Sequence, residues 1–224
     1  MNKFGFYDYQ LQAFKATNNN KEGIVVMPTG TGKTYVQAGI IAEDIKNNPG
    51  FRMYVVNAPR IMLSFQLLED VFQFNVDNGV DARYMAVHSG KMEQGDLDKY
   101  RDSNSDFDYS QISSTTSPEA VSLMISKAKE ANQPLIFFST YNSVIQIERG
   151  RQEELINIIL NDEAHYLVQE RFNTDFNEME TERKYFFTAT TKETPSDEGL
   201  GMNNVEFYGE KIYTMTPLEA INLG

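Results

Sequence analysis

The chain is acidic and lacks cysteine: its 224 residues carry a formal net charge of −12, and they include two histidines. These counts exclude disulfides, thiolate metal sites and histidine-rich metal sites. The negative charge argues against strong stand-alone binding to nucleic acid, which normally relies on Lys and Arg to neutralise phosphates. Since no apolar run is long enough for a bilayer and the first residues lack a signal peptide's apolar core, we expect no membrane association and a cytoplasmic location.

Short apolar runs alternate with helical patterns along the chain. The patterns predict strands at 23–26, 51–57, 81–87, 135–138, 155–160 and 185–187, and helices at 6–14, 35–46, 61–74, 117–130 and from 217 onward. Residues 91–116 form a polar insertion or mobile loop in this interpretation, with a possible short strand at 111–116, and edge structure is expected near Gly209. The alternation predicts an α/β fold, a mainly parallel twisted sheet with helices on both faces.

Residues 27–34, with the sequence MPTGTGKT, lie between a predicted strand and a predicted helix. In such a turn the backbone N–H groups and the helix dipole converge on a phosphate, and Lys33 adds a positive charge. The hydroxyl of Thr34 is then placed to bind Mg²⁺. A tight turn that merely carries glycines is the alternative, and Met27 departs from the glycine of the strict motif. The Gly-Lys-Thr ending between strand and helix favours a nucleoside-triphosphate site.

Polar segments follow the other predicted strands, at the edge where the carboxyl ends of parallel strands meet. They are NAPR (57–60), HSG (88–90), STYN (139–142), DEAH (162–165) and TAT (188–190). Asp162 is placed to bind a magnesium ion through water, and Glu163 to polarise an attacking water as general base. Two acids after a strand are more often ordinary solvated charges, but a phosphate loop on the same sheet favours the catalytic interpretation.

The ordered set formed by Tyr9-Gln10 and the motifs MPTGTGKT, NAPR, STYN, DEAH and TAT resembles the first motor domain of superfamily-two DEAH-type helicases and translocases. The resemblance covers essentially the whole chain. The segment 207–221 adds a similarity to helicase subunits of restriction enzymes, of the type III restriction res-subunit kind, and to phage and plasmid helicases. The resemblance implies a single RecA-like P-loop NTPase domain over residues 1–224, restriction-type function, and ATP and Mg²⁺ as cofactors.

The resemblance also implies a role for each motif residue. Gln10 would recognise adenine, although Tyr7 stands where these relatives often have arginine. The catalytic residues would be Lys33, Asp162 and Glu163, with Thr34 and Asp162 as metal ligands. The other implied groups are the phosphate-binding residues Thr29, Gly30, Thr31, Gly32, Lys33 and Thr34, the coupling residues His165, Thr188 and Thr190, and the nucleic-acid contacts Arg60, Ser89, Gly90 and Thr140, with Gln66 helping to shape the track.

Motors of this superfamily hydrolyse ATP between two RecA-like domains, so the resemblance implies a second domain in the same parent chain or in a partner subunit. Residues 205–224 would lead toward it. We therefore expect the isolated chain to bind Mg-ATP weakly, to hydrolyse it slowly and not to unwind duplex. DNA is the favoured nucleic acid. The alternatives are an RNA helicase of the same superfamily, a P-loop kinase, and a nucleotide-sensing interaction module.

Overall fold

A computed structural model describes residues 3–89, 112–169, 179–195 and 199–223. Strands and helices alternate along most of this chain, as the apolar runs predict. The strands are β1 (Glu22–Val26), β2 (Met53–Ala58), β3 (Arg83–Val87), β4 (Ser113–Thr115), β5 (Leu135–Thr140), β6 (Ile156–Asn161), β7 (Thr181–Thr188) and β8 (Lys211–Thr214). The helices are α1 (Asp8–Asn19), α2 (Lys33–Asn47), α3 (Ile61–Asp77), α4 (Pro118–Glu130), α5 (Val144–Arg151), α6 (Val205–Tyr208) and α7 (Pro217–Leu223), with a 3₁₀ turn at Ala164–Leu167.

The described strands form one sheet in the order β4-β3-β5-β2-β6-β7-β1-β8, and every neighbouring pair is parallel. The predicted parallel α/β fold is therefore confirmed. The strand before the phosphate loop, β1, and the strand before the DEAH segment, β6, both pair with β7. Because all strands run in the same direction, the loops after β1, β2, β5, β6 and β7 lie at one edge of the sheet.

Helices cover both faces of the sheet, as alternate residues of β2 show. Tyr54 and Val56 lie in an apolar cluster with residues of α1, α2 and α3. Met53 and Val55 lie in the other cluster, with residues of α4 and α5. Side chains alternate between the two faces of a strand, and β2 is buried along its whole length, so both faces of the sheet are covered.

The helix α5 is absent from the elements that the sequence predicts. Its eight residues include a glycine and two arginines, and its inward face has Val144 and Ile147 one turn apart. So short a segment offers too few apolar positions for its period to be recognised. In the fold, Gly150 lets α5 approach α4, because a Cβ on it would lie 2.5 Å from the carbonyl oxygen of Pro118.

The possible strand at 111–116 is confirmed as β4, in which Thr115 pairs with Val87 of β3. Residues 90–111 lie outside the described residues, so the insertion or mobile loop stays a prediction there. Ser117 caps α4, as the sequence suggests: its Oγ accepts a hydrogen bond from the N–H of Ala120 at 3.3 Å. The edge structure expected near Gly209 is β8, beside β1. In the described part of the chain no helix is long and apolar enough to cross a membrane.

Candidate nucleotide site and adjoining groove

The phosphate loop begins one residue later than the strict motif suggests. Met27 continues β1, because its N–H donates to the carbonyl oxygen of Thr188 at 3.0 Å and its side chain is fully buried. The turn itself uses Gly30 and Gly32, whose φ angles of 82° and 77° lie in the left-handed region that favours glycine. The helix α2 follows at Lys33. Met27, which replaces the first glycine of the strict motif, is thus a core residue before the turn, and the turn itself is intact.

Lys33 lies at the first position of α2 with its side chain 8% exposed. Its Nζ donates to the carbonyl oxygen of Met27 at 3.3 Å and lies 3.7 Å from Oε1 of Glu163. The ammonium therefore connects the phosphate loop to the DEAH segment. A cleft of about 490 Å³ opens beside it, lined by Thr29, Gly30, Gly32, Lys33, Thr34, Tyr35, Asp70, Gln73, Phe74, Asp77, Asp162 and Glu163. The first N–H groups of α2 have no acceptor within the helix, so this end of the cleft can take a phosphate.

Gln10 is buried beneath the loop. Its Nε2 donates to the carbonyl oxygen of Thr31 at 3.1 Å, and its Oε1 accepts from the N–H of Tyr7 at 3.1 Å. Gln10 and Thr31 are absent from the cleft lining, and the Thr31 hydroxyl donates to Pro28 within the turn. Both residues hold the shape of the loop. Adenine recognition by Gln10 stays a prediction.

Gly32 and Gly30 provide a matched pair of alanine substitutions. Both glycines adopt left-handed φ angles, so each alanine costs about 1–2 kcal/mol of backbone strain. A Cβ on Gly32 would also lie 2.4 Å from Nε2 of Gln10, whereas a Cβ on Gly30 meets nothing within 4 Å. We expect Gly32→Ala to weaken ATP binding about tenfold more than Gly30→Ala, measured by titration with a fluorescent ATP analogue. Equal losses would contradict a role for Gln10 in shaping the loop.

Asp162 is buried at the end of β6, beside Lys33 and Glu163. Its side-chain Oδ1 accepts a hydrogen bond from Nε2 of Gln37 at 2.8 Å, and its N–H donates to the carbonyl oxygen of Asn57 at 2.8 Å. Burial, followed by the adjacent charge of Glu163, raises the pKa of Asp162 to about 6 despite the Gln37 hydrogen bond and Lys33. A cation placed beside this carboxylate would offset the cost of burying its charge.

Glu163 follows with a φ of 49°, a left-handed conformation that is uncommon for a residue with a side chain. Such strained positions cluster at functional sites. The conformation turns the chain between β6 and the 3₁₀ turn, and Glu163 lines two clefts, the one beside Lys33 and a second groove beside Arg60.

The three predicted coupling residues lie together. Nδ1 of His165 is 3.1 Å from Oγ1 of Thr188 and 3.4 Å from Oε2 of Glu163. The Thr188 hydroxyl in turn donates to the carbonyl oxygen of Thr190 at 2.7 Å. The DEAH segment after β6 is therefore hydrogen-bonded to the TAT segment after β7. Their role in coupling stays a prediction.

The second groove, of about 900 Å³, contains three of the four predicted nucleic-acid contacts. Its lining comprises Pro59, Arg60, Ile61, Met62, Leu63, Gln66, Ser89, Thr140, Asn142, Glu163, His165 and Tyr166. Gly90, the fourth predicted contact, lies outside the described residues. Among the residues of this lining Arg60 is the one permanently cationic side chain, so the groove combines one strong phosphate ligand with hydroxyl and amide groups.

Three residues of the site escaped the sequence interpretation. Gln37 and Tyr141 both contact Asp162, since the hydroxyl of Tyr141 donates to its carbonyl oxygen. Asp70, on α3, lines the cleft beside Thr34 and Asp162. The position of Gln37 near the site could be predicted from the sequence, because it lies four residues after Lys33 and so on the same face of α2. Tyr141 lies in the STYN segment, which the sequence places at this edge without a role for the tyrosine itself, whereas Asp70 carried no signal, because only the packed fold brings α3 to β6.

The donor set fits a magnesium ion that arrives with a nucleotide. No group of three or more His, Asp or Glu side chains within the described ranges is arranged to hold a metal unaided. Thr34 and Asp162 line the same cleft, and magnesium characteristically uses one or two protein oxygens together with substrate phosphates and water. Carboxylates outnumber cations there, with four acids and Lys33 in the lining, so a divalent cation that accompanies the triphosphate would strengthen its binding.

The fold, the phosphate loop and the acidic pair after β6 define the first RecA-like domain of a superfamily-two helicase. More narrowly, the chain belongs to the family of the type III restriction enzyme res subunit (ResIII), whose model matches residues 3–193. Among curated protein sequences none matches the chain.

Solved structures share this fold. The chain is 26% identical, with a TM-score of 0.76 over 97% of its length, to a nuclease-deletion mutant of the Type ISP restriction-modification enzyme LlaGI in complex with a DNA substrate mimic. It is 21% identical to the ATP-dependent Type ISP enzyme LlaBIII bound to DNA (TM-score 0.72, 97% of this chain) and 17% identical to the UvsW helicase from bacteriophage T4 (TM-score 0.57, 92%). The chain spans 20%, 15% and 59% of those three chains, respectively.

Proposed function

We propose that the chain is the ATP-binding motor domain of a restriction-type DNA helicase or translocase. The observation that carries this proposal is the position of Glu163, which lines both the nucleotide cleft and the Arg60 groove. Because Glu163 lines both clefts, a change at the bound nucleotide can alter the groove through this one residue. The family and the shape of both clefts support the same conclusion.

In this proposal Lys33 and the loop amides hold the β- and γ-phosphates, and Thr34 and Asp162 hold the magnesium ion that accompanies ATP. When bound, the metal neutralises charge that develops on the phosphates. Glu163 orients a water whose oxygen attacks the γ-phosphorus while the bond to the ADP oxygen breaks. Lys33 Nζ and Glu163 Oε1 lie 3.7 Å apart and form an ion pair, so in this proposal the arriving γ-phosphate takes the place of the carboxylate beside the ammonium.

The groove supports binding to a nucleic-acid backbone. Arg60 supplies a bidentate phosphate ligand, and Ser89 and Thr140 supply hydroxyl donors. DNA is favoured over RNA because the family is that of a restriction enzyme and because the LlaGI relative was solved with a DNA substrate mimic. These contacts reach the backbone, so we expect little dependence on base sequence. A nucleotide-sensing module without motor activity is the second candidate, favoured by the net charge of −12.

A second RecA-like domain, in the parent chain or a partner subunit, belongs to the proposed motor. In the superfamily it supplies arginines to the transferred phosphate, and the described lining of the nucleotide cleft contains no arginine. We therefore expect the chain alone to bind Mg-ATP weakly, to release phosphate slowly and not to separate strands. A cytoplasmic location accompanies the proposal.

Phosphate release by the full chain tests the proposed function. We expect a slow, magnesium-dependent rate that single- or double-stranded DNA increases more than RNA does. Lys33→Ala should abolish the release, because the cation that stabilises the phosphate charge is lost. Arg60→Gln should leave the rate without DNA unchanged and weaken its stimulation by DNA.

Two results would contradict the motor. If DNA and RNA both leave the rate unchanged while ATP still binds, the nucleotide-sensing module becomes the better explanation. If phosphate appears on an added acceptor instead of in solution, the protein is a kinase.

A further inference from the structure

Gln37 lies on α2 one turn after Lys33, and its side chain is completely buried. Its Nε2 donates to Oδ1 of Asp162 at 2.8 Å, although 125 positions separate the two residues in sequence. The orientation of the amide follows from chemistry, because a carboxylate accepts hydrogen bonds and the NH₂ group is the donor of a glutamine. A buried hydrogen bond thus joins the helix of the phosphate loop to the acid after β6.

The other end of the same amide is not satisfied by the protein. Oε1 of Gln37 is buried and has no hydrogen-bond partner among the described residues. Burying such an acceptor is unfavourable, and an apolar side chain of similar size would fill this space at lower cost. The amide is therefore a poor choice for packing alone. A glutamine is explained at this position if its NH₂ group donates to Asp162 and its oxygen accepts a hydrogen bond from a water when the nucleotide is bound.

The main chain of Asp162 is held independently of Gln37. Its N–H donates to the carbonyl oxygen of Asn57 at 2.8 Å, and its carbonyl oxygen accepts from the hydroxyl of Tyr141. These contacts involve the main chain and do not set the orientation of the carboxylate. The hydrogen bond from Gln37 to Oδ1 sets that orientation and leaves Oδ2 available for another partner.

We propose that Gln37 is a positioning residue for magnesium: it holds Oδ1 of Asp162 so that Oδ2 would stay available to hold the magnesium ion of Mg-ATP. The inference rests on the proposed nucleotide function and adds to it a residue that orients the metal ligand. Partners that orient a metal ligand in this way typically contribute 10- to 100-fold to metal affinity. Phosphate binding by Lys33 and the loop does not pass through Gln37, so nucleotide binding without metal is independent of it.

The test uses Gln37→Met, which keeps the approximate volume and removes the donor. The control is Ile41→Val, a buried position one turn further along the same helix that loses one methylene group. A fluorescent ATP analogue is titrated onto the full chain, first in EDTA and then across a series of Mg²⁺ concentrations. Gln37→Met should leave the affinity for the ATP analogue in EDTA within about twofold of wild type. It should raise the Mg²⁺ concentration that gives half of the magnesium-induced gain in affinity by about tenfold or more. Ile41→Val should change neither quantity.

Gln37→Asn provides a second variant if the methionine variant does not fold, because it keeps an amide and withdraws it by one methylene group. The same rise in Mg²⁺ requirement is expected. Equal losses of affinity with and without Mg²⁺, or an unchanged Mg²⁺ requirement, would overturn the inference and leave Gln37 as a packing residue. Failure of the proposed function has a different signature: the wild-type chain would then show no magnesium-enhanced binding, and Asp162→Ala would have no effect.

Discussion

Asp162→Asn is expected to make the metal-free protein more stable while it abolishes magnesium-dependent phosphate release. Both effects follow from one buried carboxylate. Burial and the neighbouring charge of Glu163 raise the pKa of Asp162 to about 6 from an ordinary value of 3.8. The ionised form that binds metal is therefore the form that the folded protein tolerates poorly in the absence of metal.

The sign of the effect follows from proton linkage. The folded protein holds the Asp162 proton up to about pH 6, whereas the unfolded chain releases it near pH 4. The stabilisation that comes from this higher pKa is present below pH 4 and is lost as the pH rises through 6. A difference of roughly two pKa units corresponds to about 3 kcal/mol. Asparagine has no charge to bury and keeps an oxygen that accepts the hydrogen bond from Gln37.

We therefore expect Asp162→Asn to raise the free energy of unfolding by about 2–3 kcal/mol at pH 8 and by about 1 kcal/mol near pH 4.5. Urea unfolding in EDTA, followed by circular dichroism at both pH values, measures the difference. Asp77→Asn is the matched control, because Asp77 lines the same cleft but is exposed, and its substitution should change stability by less than about 0.5 kcal/mol. A gain that does not depend on pH, or no gain at all, would contradict the raised pKa.

Apolar runs made the sheet predictable from sequence. Three predicted strands lie inside the sheet, namely those that precede the phosphate loop, the DEAH segment and the TAT segment. Their apolar residues are buried, so each appears in the sequence as a short continuous apolar run. The short helix α5 was missed because two inward apolar residues do not establish a helical period. The phosphate loop was predictable because its chemistry is local: two glycines, a lysine and a threonine act within one turn.

The rest of the site depends on contacts between distant segments, which composition and spacing do not encode. The hydrogen bond from Gln37 to Asp162 forms only because the fold brings the first turns of α2 beside the carboxyl end of β6. The family resemblance predicts a role for Gln10 in recognising adenine, whereas the structure shows its amide bound to Thr31 and Tyr7. A motif thus singles out a residue without specifying which atoms its polar groups contact, and adenine recognition by Gln10 stays a prediction.

Asp44→Ala is expected to lower the protein's stability more than any other substitution considered above, at a position far from the nucleotide cleft. Asp44 lies near the end of α2, about 16 Å along the helix from Lys33, and is 6% exposed. Its Oδ2 accepts hydrogen bonds from Nε of Arg52 at 2.7 Å and from the hydroxyl of Tyr54 at 2.8 Å, and its Oδ1 accepts one from Arg183. One carboxylate thus neutralises two guanidinium groups, each on a side chain only 19% exposed.

Removing this carboxylate takes from Arg183 the partner it contacts and leaves Arg52 with Glu182, at 2.8 Å, so we expect a cost of about 3 kcal/mol, the lower end of the range for breaking a buried ion pair. The adjacent residue provides a control, because Glu43 pairs with Lys3, whose side chain is half exposed, and Glu43→Ala should cost less than about 1 kcal/mol. Asp44→Asn keeps the shape and removes the charge, so we expect an intermediate loss that remains measurable if the alanine variant does not fold. Urea unfolding of the three variants gives the comparison. Magnesium-dependent ATP binding per folded molecule should stay unchanged in all three, because the side-chain partners of Asp44 that are described above, Arg52, Tyr54 and Arg183, lie outside the lining of the cleft. A loss of binding without a loss of stability would contradict this separation.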